Sequence, residues 1–238
     1  MESSVLTRPH PGFESPIREA WSLYKAHWRH LLTLALGVYL VLALVTLVLA
    51  VVLGAVGAVA GAFVSIAGIF WLQGALVEAV ADIRDGRADL TLRETLKRVR
   101  PRIWAIAGAS ILAALGVMLG LALLIVPGLI LLTWWSVILP VIVLERRGVL
   151  ESFGRSRELV RGHGWTVFGV IILTILILIG VGLLIGLALL WLPEEARSFV
   201  RDAVGGALTA PFTALAWTLM YFKLREPEPE AEPALVAA

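Results

Sequence analysis

The stretch that decides the fold is LLTLALGVYLVLALVTLVLAVVLGAVGAVAGAFVSIAGIFWLQGALV, residues 31–77, with no charged residue between His30 and Glu78. A helix needs roughly 20 apolar residues to cross a hydrocarbon layer of about 30 Å. This run is therefore long enough for two transmembrane helices. Glycine favours a break inside a helical pattern, so we expect the chain to turn near Gly54 and Gly57.

Further apolar stretches follow the first. No residue between Arg102 and Glu145 is charged, and Val126-Pro127-Gly128 predicts a turn between two spans there. The stretch that begins at Trp165 is typical of one long, tilted helix, and the last stretch is interrupted by Pro211. The predicted spans are about 31–53, 57–77, 103–124, 128–144, 165–191 and 199–222.

The composition agrees with a protein whose solvent is lipid. Hydrophobic residues make up 59% of the 238 residues and charged residues 16%, whereas a soluble domain carries about 25% charged residues. There is no cysteine, which excludes disulfides and thiolate chemistry. We predict a single transmembrane domain over residues 1–225. Residues 226–238 (EPEPEAEPALVAA) are acidic and rich in proline, which predicts a disordered tail.

The basic residues predict the orientation. The N-terminal segment, the 82–102 and 145–164 connections and the C-terminal segment together hold 18 of the 20 Lys and Arg residues, and Arg197 and Arg201 are the other two. Connections rich in Lys and Arg face the cytoplasm. Both termini are therefore predicted to be cytoplasmic.

Each basic segment also carries an amphipathic pattern before a predicted hairpin. Apolar or small side chains recur at i, i+4, i+7 and i+11, which places them on one stripe of a helix. The three stripes are Ile17, Trp21, Tyr24, Trp28; Leu92, Leu96, Val99, Ile103; and Val149, Phe153, Ser156, Val160. The chain thus predicts an all-α polytopic integral membrane protein, with six transmembrane helices as three hairpins, each preceded by an amphipathic interfacial helix. The alternative is that a polytopic protein places amphipathic linkers at its basic face without true repetition.

The third of these units resembles a known bacterial family. The residues that carry the resemblance are Pro127-Gly128, Leu139–Glu145, Gly148, Glu151-Ser152-Phe153, Ser156–Gly162 and Trp165, and the Ile17–Trp28 segment is similar to the opening helix of that family. The family is the membrane domain found in some bacterial glycerophosphoryl diester phosphodiesterases and in stand-alone relatives. The resemblance implies a membrane module of the bacterial cytoplasmic (inner) membrane. The separate catalytic barrel of such enzymes has no counterpart in this sequence.

Candidate catalytic and metal sites are sparse. His27 and His30 stand at i, i+3, but a catalytic zinc site needs three protein ligands, so interfacial histidines are the better interpretation. Glu78 and Asp82 share a helical face, and local charge balancing with nearby basic residues explains them better than a catalytic pair. The sequence predicts no enzyme activity, no cofactor and no metal.

The basic face is the strongest functional signal. Lys and Arg beside an anionic leaflet gain about 1 kcal/mol each, although the orientation rule alone accounts for many of them. The predicted head-group contacts are Arg93, Lys97, Arg98, Arg100, Arg102, Arg155, Arg157 and Arg161. The predicted interfacial anchors are Trp21, Trp28, Trp104 and Trp165.

Several residues could break a span or line a cavity within the membrane. Proline frees a backbone carbonyl in its helix, and a polar or large aromatic side chain could line the resulting space. The candidates are Gln73, Trp134, Trp135, Pro140 and Pro211. Three glycine pairs at i, i+4 permit close helix packing, either inside the bundle or between copies in a homo-oligomer. They are Gly57/Gly61, Gly116/Gly120 and Gly182/Gly186.

These observations predict a non-catalytic integral membrane module, a scaffold or accessory protein that contacts anionic phospholipid or a membrane partner. The alternative is a permease or flippase-like carrier of a neutral or amphiphilic molecule, whose cavity would lie at Trp134, Trp135 and the prolines. Nucleic acid is not an expected partner, because no soluble domain offers a groove or a stacking platform.

Overall fold

The computed structural model describes residues 14–84 and 92–226. These residues are almost entirely helical and contain no β-strand, which confirms the predicted all-α class. The helices are α1 (Glu14–Arg84), α2 (Leu92–Val99), α3 (Ile103–Leu123), α4 (Ile125–Trp134), α5 (Ile138–Leu144), α6 (Val149–Val160), α7 (Gly164–Ala188) and α8 (Glu194–Arg225), with a 3₁₀ turn, Arg100–Arg102, between α2 and α3. Residues 227–238 of the predicted tail lie outside the described residues.

Four helical segments in the described part of the chain are long and apolar enough to cross a membrane. They are Pro16–Arg84, Arg93–Leu123, Ile125–Leu144 and Gly164–Ala188. The chain therefore has the elements of a membrane protein, as predicted. The prediction of six spans in three hairpins goes beyond this count, because the first segment is counted once and α8 is not among the four.

Helix α1 reverses direction at Gly54, where a break is predicted. Gly54 is non-helical, with φ 59° and ψ −135°, a backbone conformation that glycine adopts without steric cost. On either side of it the two arms of α1 pack together: the hydroxyl oxygens of Thr46 and Ser65 are 3.0 Å apart, and Gly68 lies against the side chain of Leu42. The ranges of the predicted spans 31–53 and 57–77 fall on these two arms.

The first amphipathic segment is set apart from the first arm by a second non-helical residue, His27 (φ −118°, ψ 19°). This segment packs on α8. The Tyr24 hydroxyl donates a hydrogen bond to the Leu208 carbonyl at 3.1 Å, and the rings of Trp21 and Tyr24 meet Phe212 edge-on. The segment therefore contributes to the protein core as well as to the surface.

The turn between α3 and α4 lies earlier than predicted. Leu124 is extended (φ −159°, ψ 141°) and separates the two helices, so α4 includes the predicted turn residues Val126-Pro127-Gly128. Pro127 is the third residue of α4, and a helix does not use the N–H groups of its first turn for internal hydrogen bonds. Gly128 packs closely against Gly120 and Leu121 of α3. Pro127 and Gly128 therefore lie in the first turn of α4 and do not form the turn between the helices. Gly128 permits close packing of α4 on α3.

The predicted span 128–144 is not one helix. It is broken at Trp135–Val137, between α4 and α5. The Ser156 hydroxyl of α6 donates to the Trp134 carbonyl at 2.7 Å, which satisfies a backbone acceptor at the break. Pro140 is the third residue of α5, where its missing N–H again costs little. The break therefore precedes the proline and does not lie at it.

The last two predicted spans match α7 and α8 with shifted ends. Helix α7 ends at Ala188, three residues before the predicted end. Helix α8 begins at Glu194 and continues through Pro211. Much of α8 beyond Gly206 is buried, including Leu215, Ala216 and Tyr221. A helix surrounded by protein needs less apolar surface than one that faces lipid. This agrees with α8 being less hydrophobic than α7.

Helices α2 and α6 lie where the second and third amphipathic segments are predicted. On α6, Ser152, Ser156 and Val160 are buried while Arg157 is exposed, as is Arg161 just after the helix. On α2, Val99 is buried and the charged side chains face outward. Leu96 and Val99 of the second stripe and Ser156 and Val160 of the third are buried or partly buried, so these faces pack on the helical bundle.

Two of the three glycine pairs lie at close contacts within the chain. Gly57, Gly61, Gly116 and Gly120 all have close neighbours within the chain; Gly116, for example, lies against the ring of Trp135. These two pairs pack inside the bundle. The Gly182/Gly186 pair has nothing within 4 Å of an added Cβ, so it lies on an open face of α7.

Candidate functional site

A cavity of about 650 Å³ opens beside α2 and the 3₁₀ turn. We call it the basic cleft. It brings together the second arm of α1, α2, the 3₁₀ turn and the end of α5. Its lining residues are Glu78, Glu94, Lys97, Arg98, Pro101, Arg102, Val143, Leu144 and Arg146. Three of the eight predicted head-group contacts, Lys97, Arg98 and Arg102, thus lie around one space.

The charge of the basic cleft is positive. Its four cationic side chains outnumber its two carboxylates. Arg98 Nη1 lies 3.4 Å from Glu78 Oε1, and the Glu78 side chain is mostly buried. Glu78 therefore orients one arginine and leaves the cleft with an excess of positive charge, which suits an anionic group.

Arg146 completes the basic cleft and was not among the predicted contacts. It is the one non-glycine residue with positive φ (61°) in the described ranges 14–84 and 92–226. This left-handed conformation is costly for a residue with a Cβ, and such residues cluster at functional sites. In the sequence, Arg146-Arg147 follows the end of an apolar stretch. The preference of Lys and Arg for cytoplasmic connections accounts for such a pair without a binding site.

Next to the cleft, Glu145 forms the centre of a hydrogen-bonded network that joins three elements. It accepts from Arg147 Nε at 2.8 Å, from Arg155 Nε at 3.1 Å and from the hydroxyl of the fully buried Tyr221 at 3.1 Å. Burial acts to raise the pKa of Glu145, but the hydrogen bonds from Arg147, Arg155 and Tyr221 and the charge of Arg155 outweigh it, and the pKa lies below its ordinary value. Glu145 is thus held as a carboxylate that ties α6 to α8.

The network changes the interpretation of Arg155. This residue also pairs with Glu158 at 3.4 Å, and its side chain is 28% exposed. Two carboxylates therefore pair with its guanidinium. Arg155 stabilises contacts within the protein and is less available for a lipid head group. Arg93, Arg100 and Arg161, in contrast, are exposed and do not line the basic cleft.

Arg157 contacts the first of the two adjacent tryptophans. Its guanidinium lies 4.3 Å from the ring centroid of Trp134, a favourable cation–π distance. Trp135 points elsewhere: it packs edge-on against Phe153, with ring centroids 4.9 Å apart, and against Gly116. Trp135 therefore packs inside the bundle, whereas Trp134 lines a cavity.

That cavity, of about 520 Å³, lies between α4 and the start of α7. We call it the apolar groove. It is lined by Val126, Leu129, Ile130, Thr133, Trp134, Gly162, Gly164, Trp165 and Phe168. Gln73, Pro140 and Pro211 line neither the groove nor the cleft; all three lie in the packed part of the bundle, half-buried for Gln73 and buried for the prolines.

The four predicted anchor tryptophans are all exposed. Trp104 and Trp165 are the most open, at 83% and 88%, while Trp21 and Trp28 are about half exposed. Trp28 lies beside the guanidinium of Arg29, 5.4 Å from the ring centroid. Exposed tryptophans beside arginines are typical of a membrane–water interface.

Among the residues that the structure describes, no group of three or more His, Asp or Glu side chains is placed to hold a metal ion. Glu78 pairs with Arg98, in keeping with the charge balancing expected of it.

No protein-family model matches the chain, no curated protein matches it, and no solved structure matches it. The resemblance to the membrane domain of some phosphodiesterases stays a prediction, and the functional argument rests on the geometry of the cleft and the groove.

Proposed function

We propose that this protein is a non-catalytic integral membrane module, a scaffold or accessory protein that binds the head group of an anionic phospholipid in the basic cleft. The observation that supports this proposal is the convergence of Lys97, Arg98, Arg102 and Arg146 on one cavity. A phosphate accepts hydrogen bonds from several such donors at once, and the planar guanidinium of arginine matches its oxygens. A membrane protein partner with an acidic segment is the competing occupant.

The proposal includes an arrangement in the membrane. Six spans in three hairpins lie in the bacterial cytoplasmic membrane, with both termini and the basic cleft on the cytoplasmic side. The reversal of α1 at Gly54 supports two spans within its 71 residues. The excess of Lys and Arg in alternate connections supports the orientation.

The carrier alternative has less support. It requires a cavity at the proline-broken spans and the two tryptophans. Pro211 lies within the continuous α8 and Pro140 in the first turn of α5. Trp134 lines the apolar groove, whereas Trp135 packs against Phe153 and Gly116. We therefore prefer the binding role.

The test compares two double variants with equal loss of charge. Arg102→Gln with Arg146→Gln removes two cations of the cleft, and Arg93→Gln with Arg100→Gln removes two exposed cations outside it. Each protein is reconstituted with mixtures of phosphatidylglycerol and phosphatidylcholine at about 0.15 M salt, and native mass spectra count the retained lipids. At about 1 kcal/mol per contact, the cleft variant should bind phosphatidylglycerol about tenfold or more weakly, and the control variant should bind nearly as the parent does.

Equal losses in the two variants would show that the surface charge acts diffusely and that the cleft is not a site. Unchanged retention in both would remove the lipid proposal. Retention of a second protein at fixed stoichiometry, lost only in the cleft variant, would replace lipid with a protein partner.

A further inference from the structure

The apolar groove has the composition of a site for a hydrocarbon chain. Its walls are aliphatic and aromatic side chains of α4 and α7, with Thr133 as the one hydroxyl among them. That hydroxyl donates to the Leu129 carbonyl at 2.8 Å, so its hydrogen is already used. From Val126 to Trp134 the helix rises about 12 Å, which is the length of several methylene groups.

The opening of the groove is apolar. Val126, Ile130 and Trp165 line it and remain exposed, at 65%, 41% and 88%. Large apolar side chains on both sides of an opening do not favour an aqueous ligand. The chain next to such an opening in a bilayer is an acyl chain.

One end of the groove carries a positive charge. Arg157 is exposed and lies over Trp134, whose ring lines the groove. Among the described residues no carboxylate forms an ion pair with Arg157, whereas Arg155, two positions away, pairs with Glu145 and Glu158. The contact with Trp134 holds the guanidinium at the mouth of the groove without neutralising it.

We propose that the apolar groove is a binding site for one anionic phospholipid, with an acyl chain between α4 and α7 and the phosphate on Arg157. An apolar channel with a cation at its end is complementary to an amphiphile that has an anionic end. The groove shares no lining residue with the basic cleft, so this site does not depend on the cleft.

Glycine positions on α7 permit a matched test. An added Cβ at Gly164 meets nothing within 4 Å, and the same holds at Gly182. Gly164 lines the groove and Gly182 does not. Gly164→Leu should therefore fill the groove, while Gly182→Leu places the same side chain on the open face of the same helix.

The probe is a phosphatidylglycerol with a photoreactive acyl chain, at low mole fraction in phosphatidylcholine vesicles that contain the full chain. After irradiation, cross-linked peptides are mapped. We expect the labels to concentrate in residues 126–134 and 162–168. Gly164→Leu should reduce this labelling about fivefold or more, and Gly182→Leu should not. Arg157→Gln should reduce the preference for phosphatidylglycerol over the matching phosphatidylcholine probe about fivefold, the loss expected for one head-group contact.

Labels spread evenly over all exposed helices, or a Gly164→Leu variant labelled like the parent, would show only the ordinary lipid layer and would overturn the proposal. If Gly164→Leu reduced the labelling but Arg157→Gln left the preference for phosphatidylglycerol unchanged, the groove would hold an acyl chain without the proposed phosphate contact. That result would also contradict the proposal. The Arg102→Gln, Arg146→Gln double variant should leave groove labelling unchanged. A failure of the groove is thereby separated from a failure of the cleft.

Discussion

At the scale of single residues, Glu145 connects several elements of the bundle. It follows directly after α5, and its 12%-exposed side chain accepts hydrogen bonds from two arginines and from Tyr221. A carboxylate in this position would be destabilised by burial alone. The donors around it make the ionised form the favoured one, and they connect α6 with α8 next to the basic cleft.

This environment predicts a loss of stability in acid. Because the pKa of Glu145 is lowered in the folded protein, the unfolded chain binds more protons in acid. Its stabilisation is present above the ordinary carboxyl pKa of about 4.3 and is lost as the pH falls through the lower, folded value. Glu145→Gln should lower the free energy of unfolding at pH 7 by about 2 kcal/mol and flatten the acid dependence.

The measurement is the thermal unfolding midpoint in mild detergent between pH 7 and pH 3. Glu158→Gln is the control, because that carboxylate pairs with the same Arg155 but is 69% exposed. It should behave nearly as the parent. An unchanged acid dependence in Glu145→Gln would mean that other carboxylates cause it.

At the scale of secondary-structure elements, the path of α1 depends on one residue. The two arms of this 71-residue helix meet at Gly54, whose φ of 59° and ψ of −135° lie outside the helical region. A side chain at this position strains the backbone even though the space around it is open. The hairpin therefore depends on the absence of a Cβ and not on close packing there.

Gly54→Ala should lower the free energy of unfolding by about 1–3 kcal/mol, the cost of holding a residue with a Cβ in a positive-φ region that is essentially restricted to glycine. Gly154→Ala is the matched control. Gly154 lies inside α6, an added Cβ there meets nothing within 4 Å, and alanine favours a helix by about 1 kcal/mol over glycine. The control should be as stable as the parent or more so. Equal midpoints of thermal unfolding for the two variants would show that the turn accepts a side chain.

At the scale of the whole molecule, α8 organises the bundle. The first amphipathic segment of α1 contacts it through Tyr24, and the Glu145 network contacts it through Tyr221. Its buried face includes Leu215, Ala216 and Leu219. Elements that are distant in the chain thus contact one helix, α8. The basic cleft and the apolar groove are formed by other helices of the same bundle.

The proposed arrangement in the membrane predicts which connections share a side. Since the chain has no cysteine, single cysteines report their position without background. Arg100→Cys and Arg161→Cys should react with a membrane-impermeant thiol reagent only after cells are permeabilised. Leu124→Cys and Trp191→Cys, in exposed turns, should react in spheroplasts. Reaction of all four from one side would contradict the alternating spans.

The sequence by itself determined the helical class, the apolar stretches, the turn near Gly54 and the amphipathic segments that became α2 and α6. These features follow from charge, hydropathy and helical spacing, which act locally along the chain. The break before α5 was decided by tertiary structure, in which Ser156 of α6 donates a hydrogen bond to the Trp134 carbonyl at the break. The sites were decided in the same way. Arg155 is equivalent to Arg157 by sequence pattern, yet Glu145 binds one and Trp134 lies under the other, and Arg146 joins the basic cleft because the fold brings α1, α2 and α5 to one place.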